Sequence, residues 1–145
     1  KNFRKRLVKS PKLYFIDTGL AAYLLDIRNP GEIASHPLKG ALFETFVVSD
    51  IFKYFLNRGL RENRFYFRDN VGNEVDLLLD RAGKILPIEI KMSQTIAGDF
   101  FKGLNYYTAL NPKNSLKPLL IYWGNASHHG SDSAVVSYKD IGKFL

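Results

Sequence analysis

Cysteine is absent from this chain of 145 residues, which excludes disulfides and thiolate zinc sites and agrees with a reducing compartment. No apolar run approaches the roughly 18 residues that a membrane-spanning helix needs, so no membrane partner is expected and the cytoplasm is the expected location. No segment fits G-x-x-x-x-G-K-[ST], so the phosphate-binding loop of an ATPase is missing. Internal repeats and low-complexity tracts are also missing, and nothing near Lys1 has the charged, apolar, then small-residue order of a signal sequence. What is there is ordinary globular composition, 46% hydrophobic and 24% charged, at a length that fits one domain with a genuine core.

The formal net charge is +7, and it is unevenly placed. Of 21 Lys and Arg residues, Lys1, Arg4, Lys5, Arg6, Lys9 and Lys12 fall in the first twelve positions, leaving 15 basic against 14 acidic side chains in the rest. Residues 1–12 read as a basic arm or linker from a preceding domain, and 13–145 as a nearly neutral domain. Such an arm pairs with phosphates or is simply solvated; charge clustering alone leaves both readings open. Because it opens at Lys1 rather than Met, the chain is expected to be a piece of something longer.

Along the domain, Leu13–Ile16 reads as a short strand, followed by a small helix that Asp17 or Thr18 caps. "RNPGEIASHP" reads as a loop turned by Asn-Pro-Gly. The longest helical pattern runs from about Leu38 to Arg58 and stops at Gly59. "RFYFRD", "NEVDLLLDR" and "GKILPIEIKM" read as three strands. A helix over Gly98–Leu110 follows, then strands at "KPLLIYWG" and "AVVSY" and a helical turn at "KDIGKFL". This order predicts a mixed α/β fold with helices on the faces of the sheet. Pro87 predicts an edge position or a local irregularity in the third strand.

The informative residues are charges set inside apolar runs. Alternation along a strand puts Glu74, Asp76 and Leu78 on one face and Val75, Leu77 and Leu79 on the other. With Ala82 and Gly83 as a two-residue hairpin loop, paired residue numbers sum to 165, and Asp76 lies across from Glu89. Opposed like charges destabilise a sheet unless a cation or a proton intervenes. On the long helix, Glu44 is expected at the centre of a stripe formed by Gly40, Ala41, Val47, Val48, Ile51 and Phe55. A buried Glu44 satisfied by Lys91 or a backbone amide, on a sheet face where Asp76, Glu89 and Lys91 are merely solvated, is the bland reading. A divalent, oxygen-liking cation held by Asp76 and Glu89 with Glu44 beside it accounts for all three anomalies at once.

A carboxylate on a helix, an Asp on a strand and Glu-x-Lys on the next strand, here Glu44, Asp76 and "EIK" at 89–91, resemble the PD-(D/E)XK nuclease superfamily. Within it, "KLYFIDTGL", "GALFETFVV", "NEVDLLL" and "PIEIKMS" are similar to the uncharacterised C-terminal domain of a group of bacterial and archaeal AAA ATPases, over roughly residues 12–123. Val75 stands where the superfamily name has Pro. The resemblance implies a restriction-endonuclease-like mixed sheet flanked by helices and metal-dependent phosphodiester hydrolysis of nucleic acid. It implies Mg²⁺ or Mn²⁺ on Asp76 and Glu89, with the Ile90 backbone carbonyl as a further ligand and Glu44 acting directly or through water. Lys91 would orient the attacking water. An N-terminal ATPase module, with its ATP, would lie in the part of the parent chain outside this sequence.

The same scaffold also binds without cutting, so an inactive module that docks nucleic acid or protein for the ATPase is the alternative, and self-association stays open. The aromatics, among them Phe65, Tyr66 and Trp123, are read as core before base-stacking. His128 and His129 lack the partners of a zinc site.

Overall fold

The structure, a computed structural model, describes residues 11–61 and 63–145. Helix α1 (Thr18–Leu24) starts where Asp17 accepts the Leu20 N–H, so Asp17 supplies the cap. Residues 13–16 correct the sequence reading: they join no strand. They run as an extended segment whose Leu13 is 85% and Ile16 56% exposed, while Tyr14 packs against the core. An apolar run makes a strand only where a sheet edge accepts its backbone, and side chains hold this segment instead.

The expected loop after Arg28 also contains a helix, α2 (Pro30–Ser35). Asn29 caps it by accepting the Glu32 N–H, and Pro30 takes the first turn, where the missing proline N–H would have been unpaired in any case. Helix α3 (Lys39–Leu56) follows, and the chain leaves it through Gly59 at φ 67°.

Six strands form one sheet: β1 (Arg64–Arg68), β2 (Glu74–Arg81), β3 (Lys84–Lys91), β4 (Leu119–Tyr122), β5 (His128–His129) and β6 (Ala134–Ser137), in the order β1-β2-β3-β4-β6-β5. The pairs β1–β2 and β2–β3 are antiparallel, β3–β4 and β4–β6 are parallel, and β5 adds an antiparallel edge. Helix α4 (Lys102–Leu110), entered through a 3-10 turn at Gly98–Phe101, supplies the crossover that the parallel β3–β4 pair requires. The chain ends in a 3-10 helix, Tyr138–Lys143. Among the described residues no helix is long and apolar enough to cross a membrane.

Both faces of the sheet are covered. On one, Phe43, Val47, Ile51 and Phe55 of α3 pack on Leu77, Leu79, Ile88, Ile90 and Ile121. On the other, Leu104 and Tyr107 of α4 pack on Val75, Leu78, Leu120 and Val135. Strand β4 is buried at all four positions, as expected of a parallel strand between two helix layers. Phe67, Tyr107 and Tyr122 are core, but Phe65 and Trp123 are exposed and Tyr66 is half-buried, which corrects the reading of these aromatics as core. Trp123 stacks on Tyr138 at 4.4 Å between ring centres.

The β2–β3 hairpin turns on Ala82 and Gly83, at φ 54° and 86°. Positive values at both central residues are what a tight hairpin turn of matching twist demands. Pairs run from Arg81↔Lys84 to Leu77↔Ile88, the register that sums to 165. Pro87 is fully buried on an interior strand, which corrects the edge alternative and leaves the local irregularity. Ile85 bonds to Asn114 and Leu116, so Pro87, two residues on, turns its missing donor the same way. The β3–β4 ladder begins only after it, at Ile88↔Leu119.

Alternation fails at one place. Leu77 and Leu79 face α3, but Val75 packs with Leu78 on the α4 side, so Val75 does not share the face expected for it. Phe65 pairs with Leu78 whereas Phe67 pairs with Val75, so β2 carries one extra residue there. Such a bulge bends the strand and re-aims a side chain. The bulged residues are Asp76 and Leu77.

Candidate functional site

Beyond the bulge, β2 and β3 no longer follow the paired register, and a side chain takes over from the ladder. The Ile90 N–H donates to Asp76 Oδ2 at 2.9 Å. Since the N–H and C=O of one strand residue point to the same neighbour, the Ile90 carbonyl shares the Asp76 side. The Lys91 carbonyl faces β4 and accepts the Trp123 N–H.

Asp76 Oδ1 meets the ammonium of Lys12 at 3.2 Å, and the same ammonium lies 2.9 Å from Glu44 Oε1 and 2.5 Å from Glu74 Oε1. Tyr14 O–H donates to Glu44 Oε1 at 2.6 Å. Three carboxylates from α3 and β2 therefore surround one nitrogen. Glu44 is half-buried at the margin of the buried face of α3, not at its centre, because Gly40 and Ala41 are exposed while Phe43, Val47 and Val48 carry the packing.

Glu89 and Lys91 lie on the opposite side of β3 from Ile88 and Ile90, toward α4. Asp76 and Glu89 therefore have neither the direct pairing nor the common sheet face expected of them, because β2 bulges at Asp76 and the ladder ends at Leu77↔Ile88. Lys91 Nζ is 2.5 Å from Glu89 Oε1, while Glu89 Oε2 is buried with no hydrogen-bond partner among the described residues, an arrangement that is rare in folded proteins. Helix α4 closes over this carboxylate at Gly103, where an added Cβ would lie 2.0 Å from the Glu74 carbonyl oxygen and 3.7 Å from Glu89 Oε2. Only a residue without a side chain lets α4 approach β2 so closely.

Burial and the charges of neighbouring groups act on these side chains together. Burial pushes Asp76 up, the Glu44 charge adds to this, and Lys12, the Ile90 N–H and Lys91 oppose it. Burial also pushes Glu89 up, to about 7, with Asp76 adding and Lys91 opposing. For Lys12 and Lys91 burial pulls downward, but the surrounding carboxylates outweigh it and both are raised. Tyr14 is raised by burial and by its bond to Glu44. Glu44, Asp76, Glu89 and Lys91 thus feel one another, and the structure adds Lys12, Tyr14 and Glu74 to the four residues that the sequence singled out.

Lys12 was hidden by the basic run that precedes it, and Tyr14 by a strand-like apolar stretch. The usable signal was alternation, since Lys12 and Tyr14 are two apart in an extended segment and so project to one side. Residues 1–10 of the basic arm lie outside the described residues. Among the described residues no three His, Cys, Asp or Glu side chains are arranged to hold a metal ion. His128 and His129 are exposed on the edge strand β5, away from these carboxylates in sequence and in strand order.

Comparison with known families follows the same division. Residues 39–141, which carry α3, the whole sheet and α4, match the family described as Domain of unknown function (DUF4143). The chain belongs to the DUF4143 family. Residues 1–31 match a second family, Domain of unknown function (DUF8612). In this DUF4143 chain, Glu44, Glu74, Asp76, Glu89 and Lys91 lie in the first match and Lys12 and Tyr14 in the second. The chain is also similar to the uncharacterized proteins Mb2031c of Mycobacterium bovis and Rv2008c of Mycobacterium tuberculosis, each 33% identical over 94 residues, which is 65% of this chain and 20% of the relative. It spans about a fifth of the length of those curated relatives.

Proposed function

We propose that this DUF4143 domain is a metal-dependent nuclease-like module, joined in its parent chain to an N-terminal AAA-type ATPase, and that it hydrolyses phosphodiester bonds of nucleic acid. The observation that supports this best is the gathering of Glu44, Glu74 and Asp76 of α3 and β2 around one ammonium, with Glu89 and Lys91 ion-paired on the neighbouring strand β3. The donor set suits Mg²⁺ or Mn²⁺, since both prefer hard oxygen ligands. The three carboxylates already enclose a cation, the Lys12 ammonium, and Glu89 Oε2 has a lone pair that no donor uses. Asp76, Glu89 and the Ile90 carbonyl would hold the ion, with Glu44 beside it. A bound divalent ion would polarise the phosphoryl group and make water more acidic.

The rest of the chemistry belongs to the chain. Water adds to phosphorus, one P–O ester bond breaks, and the leaving oxygen takes a proton, giving a phosphate monoester and a hydroxyl end. Lys91, kept charged by Glu89, orients the water and offsets charge that grows on the phosphate. On binding the ion, Glu89 would exchange its Lys91 contact for it. An open groove of about 550 Å³, lined in part by Phe52, Phe65, Tyr66 and Asp76, reaches the site and offers the nucleic acid a way in.

A docking module without turnover is the second reading. It is favoured by the filling of the acidic cluster with Lys12 and by a nearly neutral body that offers few positive charges to a phosphate backbone. Lys91→Ala separates the two. An interaction made mainly in the transition state affects rate more than binding, so this variant is expected to keep nucleic acid affinity within a few-fold and to lose Mg²⁺-dependent cleavage. The assay uses single- and double-stranded substrates and the full-length parent with ATP. Absence of cleavage by the unsubstituted parent on every substrate would leave the docking module.

A further inference from the structure

We infer that Lys12 is a tethered competitor for the cation position of the acidic site, so that docking of its segment and binding of a divalent ion exclude each other. This deepens the proposed function and rests on its assignment of a divalent ion to Asp76 and Glu89 with Glu44 beside it.

Occupancy is the first reason. Lys12 Nζ sits 2.5–3.2 Å from oxygens of Glu44, Glu74 and Asp76, and no other described cation contacts more than one of these three. A Mg²⁺ ion needs its oxygens at about 2.0–2.1 Å in near-octahedral order. Carboxylates spread around an ammonium are too far apart for that, in keeping with the lack of any metal-ready group of acids among the described residues. An ammonium and a dication sharing these oxygens would repel each other at contact range, so one must leave.

The second reason is how lightly the competitor is held. Residues 11–16 belong to no helix or strand, and Leu13 and Ile16 on either side of Tyr14 are exposed. The polar contacts of this stretch among the described residues are those of Lys12 with Glu44, Glu74, Asp76 and the Tyr66 ring and the Tyr14 bond to Glu44, and those to Glu44 and Asp76 end on carboxylates that the ion would claim. Losing them leaves the segment attached through the packing of Tyr14 on the α3-side core.

The third reason is where the competitor comes from. Lys12 lies in the stretch matched by the second family, and the acids lie in the DUF4143 match. By linkage, whatever holds residues 11–16 against the site weakens the ion, and the ion loosens the segment by the same factor. The unit carrying residues 1–31 thereby gains control over when the acidic site is loaded.

Two measurements on the intact protein test this. Mn²⁺ binding, taken as the paramagnetic signal of free ion in excess of an Asp76→Asn control, is expected to tighten roughly ten-fold or more in Lys12→Met, within the usual range of site coupling. Trypsin cleavage after Lys12 in the unsubstituted protein is expected to be slow in chelator and fast in Mn²⁺, with Ca²⁺-free buffer throughout. Equal Mn²⁺ affinity in both proteins, with cleavage after Lys12 indifferent to the ion, would overturn the competition and leave the metal site standing. No Asp76-dependent Mn²⁺ binding in either protein would remove the metal site and the competition together.

Discussion

Asp76 Oδ2 accepts the Ile90 N–H at 2.9 Å, so a side chain occupies the place where the β2–β3 ladder would otherwise supply a carbonyl. The same carboxylate turns its other oxygen to Lys12 at 3.2 Å. One residue therefore ties the end of the hairpin to the acidic site, and its two roles separate by substitution. Asn in its place retains an oxygen for Ile90 and removes a buried charge that Glu44 and Glu89 oppose. Asp76→Asn is expected to melt no lower than the unsubstituted protein in chelator and to lose the rise in Tm that millimolar Mn²⁺ gives by mass action. A variant that still gained stability from Mn²⁺ would take Asp76 out of the metal set.

Glu89 makes stability depend on pH. Its carboxyl titrates near 7 in the fold, against an ordinary value of about 4.3 in an unfolded chain. The folded state then holds the proton more tightly, and the stabilisation it gains is complete below the unfolded value and lost as pH rises through the folded one. Asp76, also raised, acts in the same direction. In chelator, the free energy of unfolding should fall between pH 5 and pH 8 by an amount on the order of a few kcal/mol, and Glu89→Gln should flatten most of that slope. A slope left unchanged in Glu89→Gln would mean that Glu89 is already ionised at pH 5.

The hairpin turn holds strain that can be removed. Ala82 sits at φ 54°, a left-handed conformation that costs a residue with a Cβ roughly 1–2 kcal/mol. Ala82→Asn or Ala82→Gly is expected to stabilise the domain by about 1 kcal/mol with Mn²⁺ binding unaltered. Equilibrium unfolding in urea measures it, and destabilisation by both variants would contradict the turn.

Gly103 tests the seat of α4. A Cβ there would meet the Glu74 carbonyl oxygen at 2.0 Å, and a backbone atom cannot swing aside. Gly103→Ala should cost about 1–3 kcal/mol as an overpacked contact, despite the better helix propensity of Ala. Its chelator pH profile should change too, because a displaced α4 uncovers Glu89. A neutral Gly103→Ala would show that α4 rides farther from β2.

The sequence carried the fold and half of the site. The two-residue turn at Ala82 and Gly83 set the register of β2 against β3, and the even loop required by hydrophobic alternation matched it. Glu44 could be placed on α3 because helical period is a local property. The bulge at Asp76 could not be read, since it exists only relative to β1 and the β1–β2 pairing has no tight turn to fix it. Lys12 was obscured for a related reason. It closes a run rich in cations, Lys1 to Lys9, and its partners lie 32 and 64 residues away. Helix α2 was legible and misread: Asn-Pro marks a helix start as well as a turn, and Glu32 three residues after Asn29 decided for the helix.

Strand β3 is antiparallel to β2 and parallel to β4, and this divides the time course of folding. The β2–β3 hairpin closes over two residues at little entropic cost, whereas β4 must wait for α4 to bring the chain back. The strands bearing Asp76, Glu89 and Lys91 would then pair early, and Lys12 would arrive last. Changes in the hairpin should therefore slow folding, while changes in residues 11–16 should speed unfolding. Like charges in the acidic cluster must tolerate one another in the folding chain until the last-arriving residue supplies their counterion.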